Sequence, residues 1–441
     1  MAKIAPFRGI RYNANKVGDL SKVVCQPYDR VRYGLQEQYY DLHPYNMVRI
    51  TKGIEYEDDA PDHSVYTRAR DYYHTWLDAG YLLRDPAPAL YVYHQTFTLP
   101  DGTQLIRRAF IAALELVEFS EGIVLPHERT LSGPKVDRLN LLRATAVNFG
   151  QILMLYPDAE NRINTLFDAA VEGRPADADV RELLEKDVRQ QVWAVTDAET
   201  IAAVLAEMAP KRGLIIADGH HRYETALNYR NEMRQKHPKV PANTGFNYRM
   251  VTLVSMDDPG LTILPTHRLM YNYAAKTTAQ ILADATEYFE VTPVAGRPAL
   301  QAALAEATPA DRRIGFYDGG YHLLRLKDPK FMAEAVPDRV EEWRMLDVSI
   351  LHELLIERVM GISKERVEAK ENIDYHRDLD LALSEVDQGK ALCVFIMNPT
   401  RMEEVKACSE KGEKMPQKST DFYPKVITGL VAMAVGADER L

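Results

Sequence analysis

The sequence predicts a mixed α/β or α+β protein of two domains, and three observations carry that expectation. Short apolar runs bounded by Gly, Pro and Asp alternate with stretches at helical period. Residues 90–99 and 104–116 change to a period of two on either side of Pro100-Asp101-Gly102, which predicts a long hairpin. The run Leu214-Ile215-Ile216-Ala217, bounded by Gly213 and by Asp218-Gly219, predicts a buried strand feeding a helix. At 441 residues, 46% hydrophobic and 27% charged, the chain has room for a substantial core.

In chain order, a strand is expected over 4–12, then an extended 23–29 in which Pro27 favours an extended Gln26 and presents Asp29 on a loop. A helix over 33–42, a strand over 47–51 and a helix over 65–79 with Tyr72, Trp76 and Leu77 inward precede the hairpin. Residues 121–143 show no periodicity until Pro134, which suits the first turn of a helix over 135–147. That segment gathers His127, Glu128, Arg129, Thr130, Lys135, Asp137 and Arg138, and reads either as a charged surface loop or as part of a site. A strand over 151–156, helices over 161–171 and 198–208, and a strand over 188–195 lead to the central run. Beyond it come a strand over 248–255, the basic cluster Pro265-Thr266-His267-Arg268, and helices over 277–289 and 298–307. A hairpin over 312–317 and 321–326, a long helix over 337–360, a strand over 367–373, a helix over 379–386 and a strand over 392–397 complete the chain. The boundary is placed after Asp258, giving residues 1–258 and 259–441.

The central stretch 213–234 carries the chemistry. A strand ending in a Gly turn and opening a helix leaves backbone N–H groups unpaired at a partially positive end, which favours an anion. His220, His221 and Arg222 add donors there, Arg222 bidentately, so the turn reads as a phosphate cradle. The alternative is an ordinary solvated first turn with Asp218 as its N-cap. Asn228, Arg230, Asn231 and Arg234 are assigned to the wet side of the helix.

A formal net charge of −10 opposes general attraction to nucleic acid or anionic membranes, so phosphate binding has to be local. Three scattered cysteines make no disulfide framework or thiolate site, no signal peptide is evident, and a cytoplasmic location is expected. His352-Glu353 begins like a zincin helix, but Ile356 stands at the second ligand position, as Leu131 does after His127-Glu128. Residues 412–419 approach a P-loop, yet Gln417 replaces its second Gly and Pro416 intrudes. Lys418, Ser419, Thr420 and Lys425 remain candidates for phosphate contacts through their side chains, or form a docking tail.

The box Asp218-Gly219-His220-His221-Arg222 resembles the Gly-x-His-Arg box of the ParB/sulfiredoxin-like superfamily, most closely that of its free serine kinases. The resemblance implies a nucleotide-binding core of that fold with an additional C-terminal α/β domain. Sulfiredoxins carry their nucleophilic Cys where His220 stands, so sulfinic acid repair is excluded. Over the whole chain the similarity is to the domain of unknown function 1015 family. It is carried by Pro27-Tyr28-Asp29, His127-Glu128-Arg129-Thr130, the central box, and Met415 to Thr420 with Phe422, Pro424 and Lys425.

The activity expected is ATP- or ADP-dependent phosphorylation of a small hydroxyl-bearing metabolite, free L-serine first. Asp218, Gly219, His220, His221, Arg222, Lys135, Arg138, Lys418, Ser419 and Thr420 would hold phosphates, and Asp218 would hold Mg²⁺. Glu128 is the expected base with Asp29 its rival and His127 beside it. The same cradle serves a phosphatase or nucleotide hydrolase, or a nucleotide sensor of ParB type. Neither specific DNA nor a membrane is expected as a partner, and a homo-oligomer is left open.

Overall fold

The protein is described from a computed structural model that covers residues 1–32, 34–128 and 133–441. It is a mixed α/β fold in two compact units. The first comprises Met1–Pro126, Thr130–Thr262 and Pro424–Leu441, and the second comprises His127–Arg129 and Ile263–Tyr423. Arg129 and Thr130, singled out in the sequence, lie outside the described residues.

The first unit is built on a nine-stranded mixed sheet. Its strands run, in spatial order, Val124–Pro126, Leu214–Asp218, Ile152–Tyr156, Tyr248–Ser255, Gln104–Glu115, Leu90–Thr98, Arg189–Val195 and Ala178–Val180, and Ile4–Ala5 also pairs with Gln104–Glu115. The expected hairpin is its longest pairing, with Tyr91 opposite Ile111 and Thr98 opposite Gln104. Leu214–Asp218 runs parallel to Val124–Pro126 and antiparallel to Ile152–Tyr156, with a bulge between Ile216 and Asp218. That irregularity leaves Ala217 as the extra residue and sets Asp218 opposite Leu153, the last pairing before the chain leaves the sheet.

Two apolar clusters serve this unit. Phe110, Met154, Tyr156, Phe167, Leu214, Ile216 and Tyr223 belong to one, and Tyr39, Met47, Ile50, Tyr73, Trp76, Leu141 and Phe149 to the other. Helix His220–Lys236 belongs to the first through Tyr223, Ala226 and Leu227. Its expected wet side is partly buried as well. Arg230 is only 4% exposed, because its guanidinium donates to the Leu116 carbonyl at 2.7 Å and pairs with Glu118. Arg234 donates to Asn247 Oδ1 at 2.8 Å.

The second unit holds a six-stranded sheet in which every described pairing is antiparallel, ordered Phe289–Val294, Tyr321–Leu326, Arg313–Tyr317, Cys393–Ile396, His267–Met270 and Ile373–His376. Helices Arg297–Ala305 and Leu379–Asp387 supply Leu300, Leu304, Ala382 and Leu383 to its core.

Several expected elements differ. Residues 47–51 form the short helix Val48–Thr51, because Asn46 Oδ1 accepts from the Val48 N–H and starts a turn. The expected strand over 4–12 is two short strands, Ile4–Ala5 and Ile10–Tyr12, pairing with different partners. The helix expected over 277–289 stops at Ala285, and Phe289–Val294 becomes an edge strand. The long helix over 337–360 is broken into Glu341–Arg344, Asp347–Ile350 and Leu351–Val359, the last with widened turns. Over 367–373, helix Lys364–Glu368 precedes a strand that begins only at Ile373. Among the described residues, no helix is long and apolar enough to cross a membrane.

Candidate functional site

Asp218 is the last residue of its strand and Gly219 is the N-cap of helix His220–Lys236. The chain turns between them because Gly219 adopts φ +100°, a left-handed conformation that costs glycine little. Gly219 is required for a second reason. A Cβ there would lie 2.9 Å from Arg222 Nε and 3.1 Å from Arg222 Cζ, so the guanidinium packs back over the bare Cα. Arg222 is 8% exposed, its Nη1 donates to the Gln151 carbonyl, and its Nη2 lies 3.6 Å from Asp218 Oδ1. Lys425 Nζ lies 3.5 Å from the other Asp218 oxygen. One carboxylate thus stands between two cations at the mouth of the helix.

His220 is buried and His221 half-buried at the first turn. Burial, with the charges of Lys135 and Arg222, lowers the His221 pKa against the opposing pull of Glu224 and Asp29, and keeps the ring neutral at neutral pH. Lys135 pairs with Glu224 across the contact between helices Gly133–Thr145 and His220–Lys236, and Arg143 pairs with Glu232 at 2.5 Å further along. Asp29 is exposed on the turn Tyr28–Arg30, and its charge is felt by both His221 and Tyr28. Arg138 lies 4.1 Å from the Tyr28 ring centre and donates to the Thr51 carbonyl at 2.7 Å. The fold therefore gathers Asp29, Lys135, Arg138 and the whole 218–222 box within the first unit.

Beside the box lies a small pocket, open to solvent, whose lining includes Tyr28, Arg138, Asn148, Phe149, Arg222 and Arg249. Arg249 was not singled out in the sequence. It is 5% exposed, its Nη2 donates to the Gly150 carbonyl, and its Nε has no partner. Burial and the like charge of Arg222 bring its pKa down to about 9. The readable signal was one Arg inside an otherwise buried, largely apolar strand, Tyr248–Ser255.

The remaining predicted residues belong to the second unit. His127 is fully buried, its Nε2 lies 2.8 Å from Thr420 Oγ1, and the Thr420 hydroxyl donates to Glu128 Oε1 at 3.3 Å. With the hydroxyl proton directed to Glu128, the His127 Nε2–H is the donor to Thr420. The Met415 N–H donates to the His127 carbonyl at 2.8 Å and ties the two segments together. Ser419 Oγ donates to the Pro416 carbonyl at 2.6 Å, which commits that hydroxyl to its own turn. Lys418 is exposed at φ +59°, and its carbonyl accepts from the buried Arg268 at 2.9 Å. His127, Glu128 and Thr420 thus form one hydrogen-bonded cluster, which Lys418 and Ser419 adjoin in sequence but do not join. Among the described residues, no group of three or more His, Cys, Asp or Glu side chains is placed to hold a metal ion.

The family model described as "Protein of unknown function (DUF1015)" matches residues 4–349. No protein with a curated description matches the chain. Solved structures similar to it include a conserved hypothetical protein from Pyrococcus furiosus, 14% identical, covering 68% of this chain and 87% of its own at a TM-score of 0.31. A free serine kinase in complex with AMP is 13% identical, covering 72% and 90% at 0.33. SbnI with a C-terminal truncation, from Staphylococcus aureus, is 10% identical, covering 74% and 90% at 0.34.

Proposed function

The chain belongs to the DUF1015 family of unknown function, and from that premise we propose that it is a nucleotide-dependent phosphotransferase acting on a small hydroxyl-bearing metabolite, free L-serine first. The observation that carries the reading is the passage from strand Leu214–Asp218 through Gly219 into helix His220–Lys236, with Arg222 folded back over the glycine. A helix start of this kind offers backbone N–H groups and a partial positive charge to a phosphate. Arg222, Lys135 and Arg138 supply formal charge, and neutral His221 supplies a hydrogen bond. Phosphoryl transfer needs chiefly such positioning and neutralisation.

The phosphoryl group passes from ATP or ADP to the acceptor oxygen, the shortened nucleotide leaves, and a carboxylate takes the hydroxyl proton. Asp29 is our choice for that carboxylate, because it is exposed on the turn next to Tyr28, which lines the pocket with Arg138 and Arg222. Glu128, preferred on sequence grounds, remains the rival through its contact with Thr420. Mg²⁺ commonly takes one or two carboxylates and completes its shell with water and phosphate oxygens, and Asp218 would give it one ligand by exchanging a contact with Arg222 or Lys425. Bound there with a nucleotide, it would neutralise phosphate charge.

Calorimetry with ATP, ADP and pyrophosphate, with and without Mg²⁺, tests the binding. Arg222→Ala is expected to weaken it by about 1.5–3 kcal/mol, the scale of charge-assisted hydrogen bonds. Absence of heat at millimolar ligand for the wild type would overturn the cradle. Mass spectrometry for phosphoserine after incubation with an amino-acid panel tests the acceptor.

A further inference from the structure

We infer that Arg249, together with Arg222, forms a second anion-binding position in the first unit, one that takes a small oxyanion, a carboxylate or a phosphate, in the pocket beside Tyr28 and Phe149. The inference does not depend on phosphoryl transfer at the 218–222 box.

Its first support is how the two guanidinium groups are held. Arg249 and Arg222 donate to the consecutive carbonyls of Gly150 and Gln151, so both side chains are tethered through the same short segment. A Cβ on Gly150 would lie 3.5 Å from Arg222 Nη1, which places that residue directly under the pair. The second support is charge. Arg222 has Asp218 within 3.6 Å, but Arg249 has no ion-pair partner among the described residues. Among the described residues no Asp or Glu lines the pocket, whereas Arg138, Arg222 and Arg249 all do, Arg138 with Asp137 beside it at 2.6 Å. The third is the unpartnered Nε of Arg249, a buried donor with no acceptor. An arginine that served only to link strands would be expected to spend its donors on carbonyls or a carboxylate.

The rest of the lining narrows the ligand. Leu141, Leu142, Val147 and Phe149 give apolar wall, and Thr51, Thr225, Thr428 and Asn148 give hydrogen-bonding groups without charge. That combination suits an anionic head on a compact body carrying hydroxyl groups. Among the described residues the lining provides no carboxylate for an ammonium group. A hydroxy acid or a phosphate ester of similar size therefore matches it better than a zwitterion does.

The test uses the full chain with ¹⁵N-labelled arginine and follows the Nε–H resonances, with the Arg249 signal assigned by its loss in Arg249→Lys. Inorganic phosphate, acetate and glycerate are titrated separately. A saturable shift of the Arg249 signal with phosphate alone identifies a phosphate site, with acetate and glycerate alone a carboxylate site, and with all three a general oxyanion site. Arg249→Gln is expected to weaken the saturating ligand about 10-fold or more, the loss of one charge-assisted hydrogen bond. An Arg249 signal that stays still, or drifts linearly up to about 50 mM ligand, the weak-binding limit of such a titration, overturns the inference. Because Arg249→Lys and Arg249→Gln each remove the signal and so assign it, failure of one variant to fold leaves the wild-type titration readable. A saturating acetate shift without nucleotide heat would sink the phosphotransferase and keep this site, and the reverse result would do the opposite.

Discussion

Replacing Gly219 by Ala tests whether Arg222 is positioned by the glycine turn. The φ of +100° places an alanine in the left-handed region, at a cost of about 1–2 kcal/mol. The added Cβ meets the guanidinium at 2.9–3.1 Å. Relief requires Arg222 to move, and its link to the Gln151 carbonyl carries about 1.5–3 kcal/mol as a hydrogen bond from a charged group. Denaturant unfolding of Gly219→Ala is therefore expected to show a loss of about 2.5–5 kcal/mol, the sum of these two terms. In Arg222→Ala the clash is absent and only backbone strain remains, so the double variant should cost at least about 1 kcal/mol less than the two singles added together. The same cycle read by pyrophosphate calorimetry should show Gly219→Ala binding as weakly as Arg222→Ala. Strict additivity, or a Gly219→Ala protein with wild-type midpoint and affinity, would refute the packing argument.

Other expectations follow from the same geometry. Asp29→Asn should cut turnover about 10²–10⁴-fold with nucleotide affinity nearly unchanged, the signature of a lost base, while Glu128→Gln should retain most of it. The opposite pattern in steady-state kinetics would move the base to Glu128. In the second unit, burial and then the neighbouring cations Arg268 and Arg297 hold the His267 pKa down at about 4, and its Nδ1 accepts from the Met397 N–H at 3.1 Å. The unfolded chain takes up that proton near the ordinary histidine value of 6.5 and the folded one only near 4, so stability is full above the upper value and is lost as pH falls between the two. The loss should reach roughly 3 kcal/mol. His267→Gln, which keeps an acceptor for Met397, should lessen the fall of the denaturation midpoint across that same interval, the remainder belonging to groups such as buried His352, whose pKa is lowered to about 3. Gel shifts should detect no duplex DNA binding that persists at physiological salt, given the formal charge of −10.

The parts of this fold that were readable share a local cause. The hairpin follows from alternation around Pro100-Asp101-Gly102, and the strand–glycine–helix passage from a run whose ends are marked by Gly213 and Gly219. The errors arise where local preference is overridden. Val48, Ile50 and Thr51 have strand propensity, yet the turn made by Asn46 Oδ1 with the Val48 N–H and burial in the cluster around Tyr39 and Trp76 make them one helical turn. The expected helix runs on to Phe289 and no element is expected over 290–294, because the strand character of Phe289–Val294 depends on pairing with Tyr321–Leu326. The 218–222 box could be named from the sequence, but the inward fold of Arg222 could not, since it depends on a carbonyl 71 positions away. Arg249 escaped notice because a single cation in a strand carries no spacing, and only the fold places it beside Arg222.

That placement has a stability consequence which bears on function. A guanidinium withdrawn from water costs several kcal/mol unless its donors and its charge are compensated. Arg230 meets the condition with Leu116 and Glu118, and Arg312 does so with Asp347 and Glu404, at 3.4 and 2.6 Å. Arg249 meets it only in part, with one carbonyl, an unpartnered Nε and a like charge for its neighbour. A neutral side chain of similar length would give the same link to Gly150 without the cost of a buried charge. An oxyanion between Arg249 and Arg222, as proposed above, would supply acceptor and countercharge together.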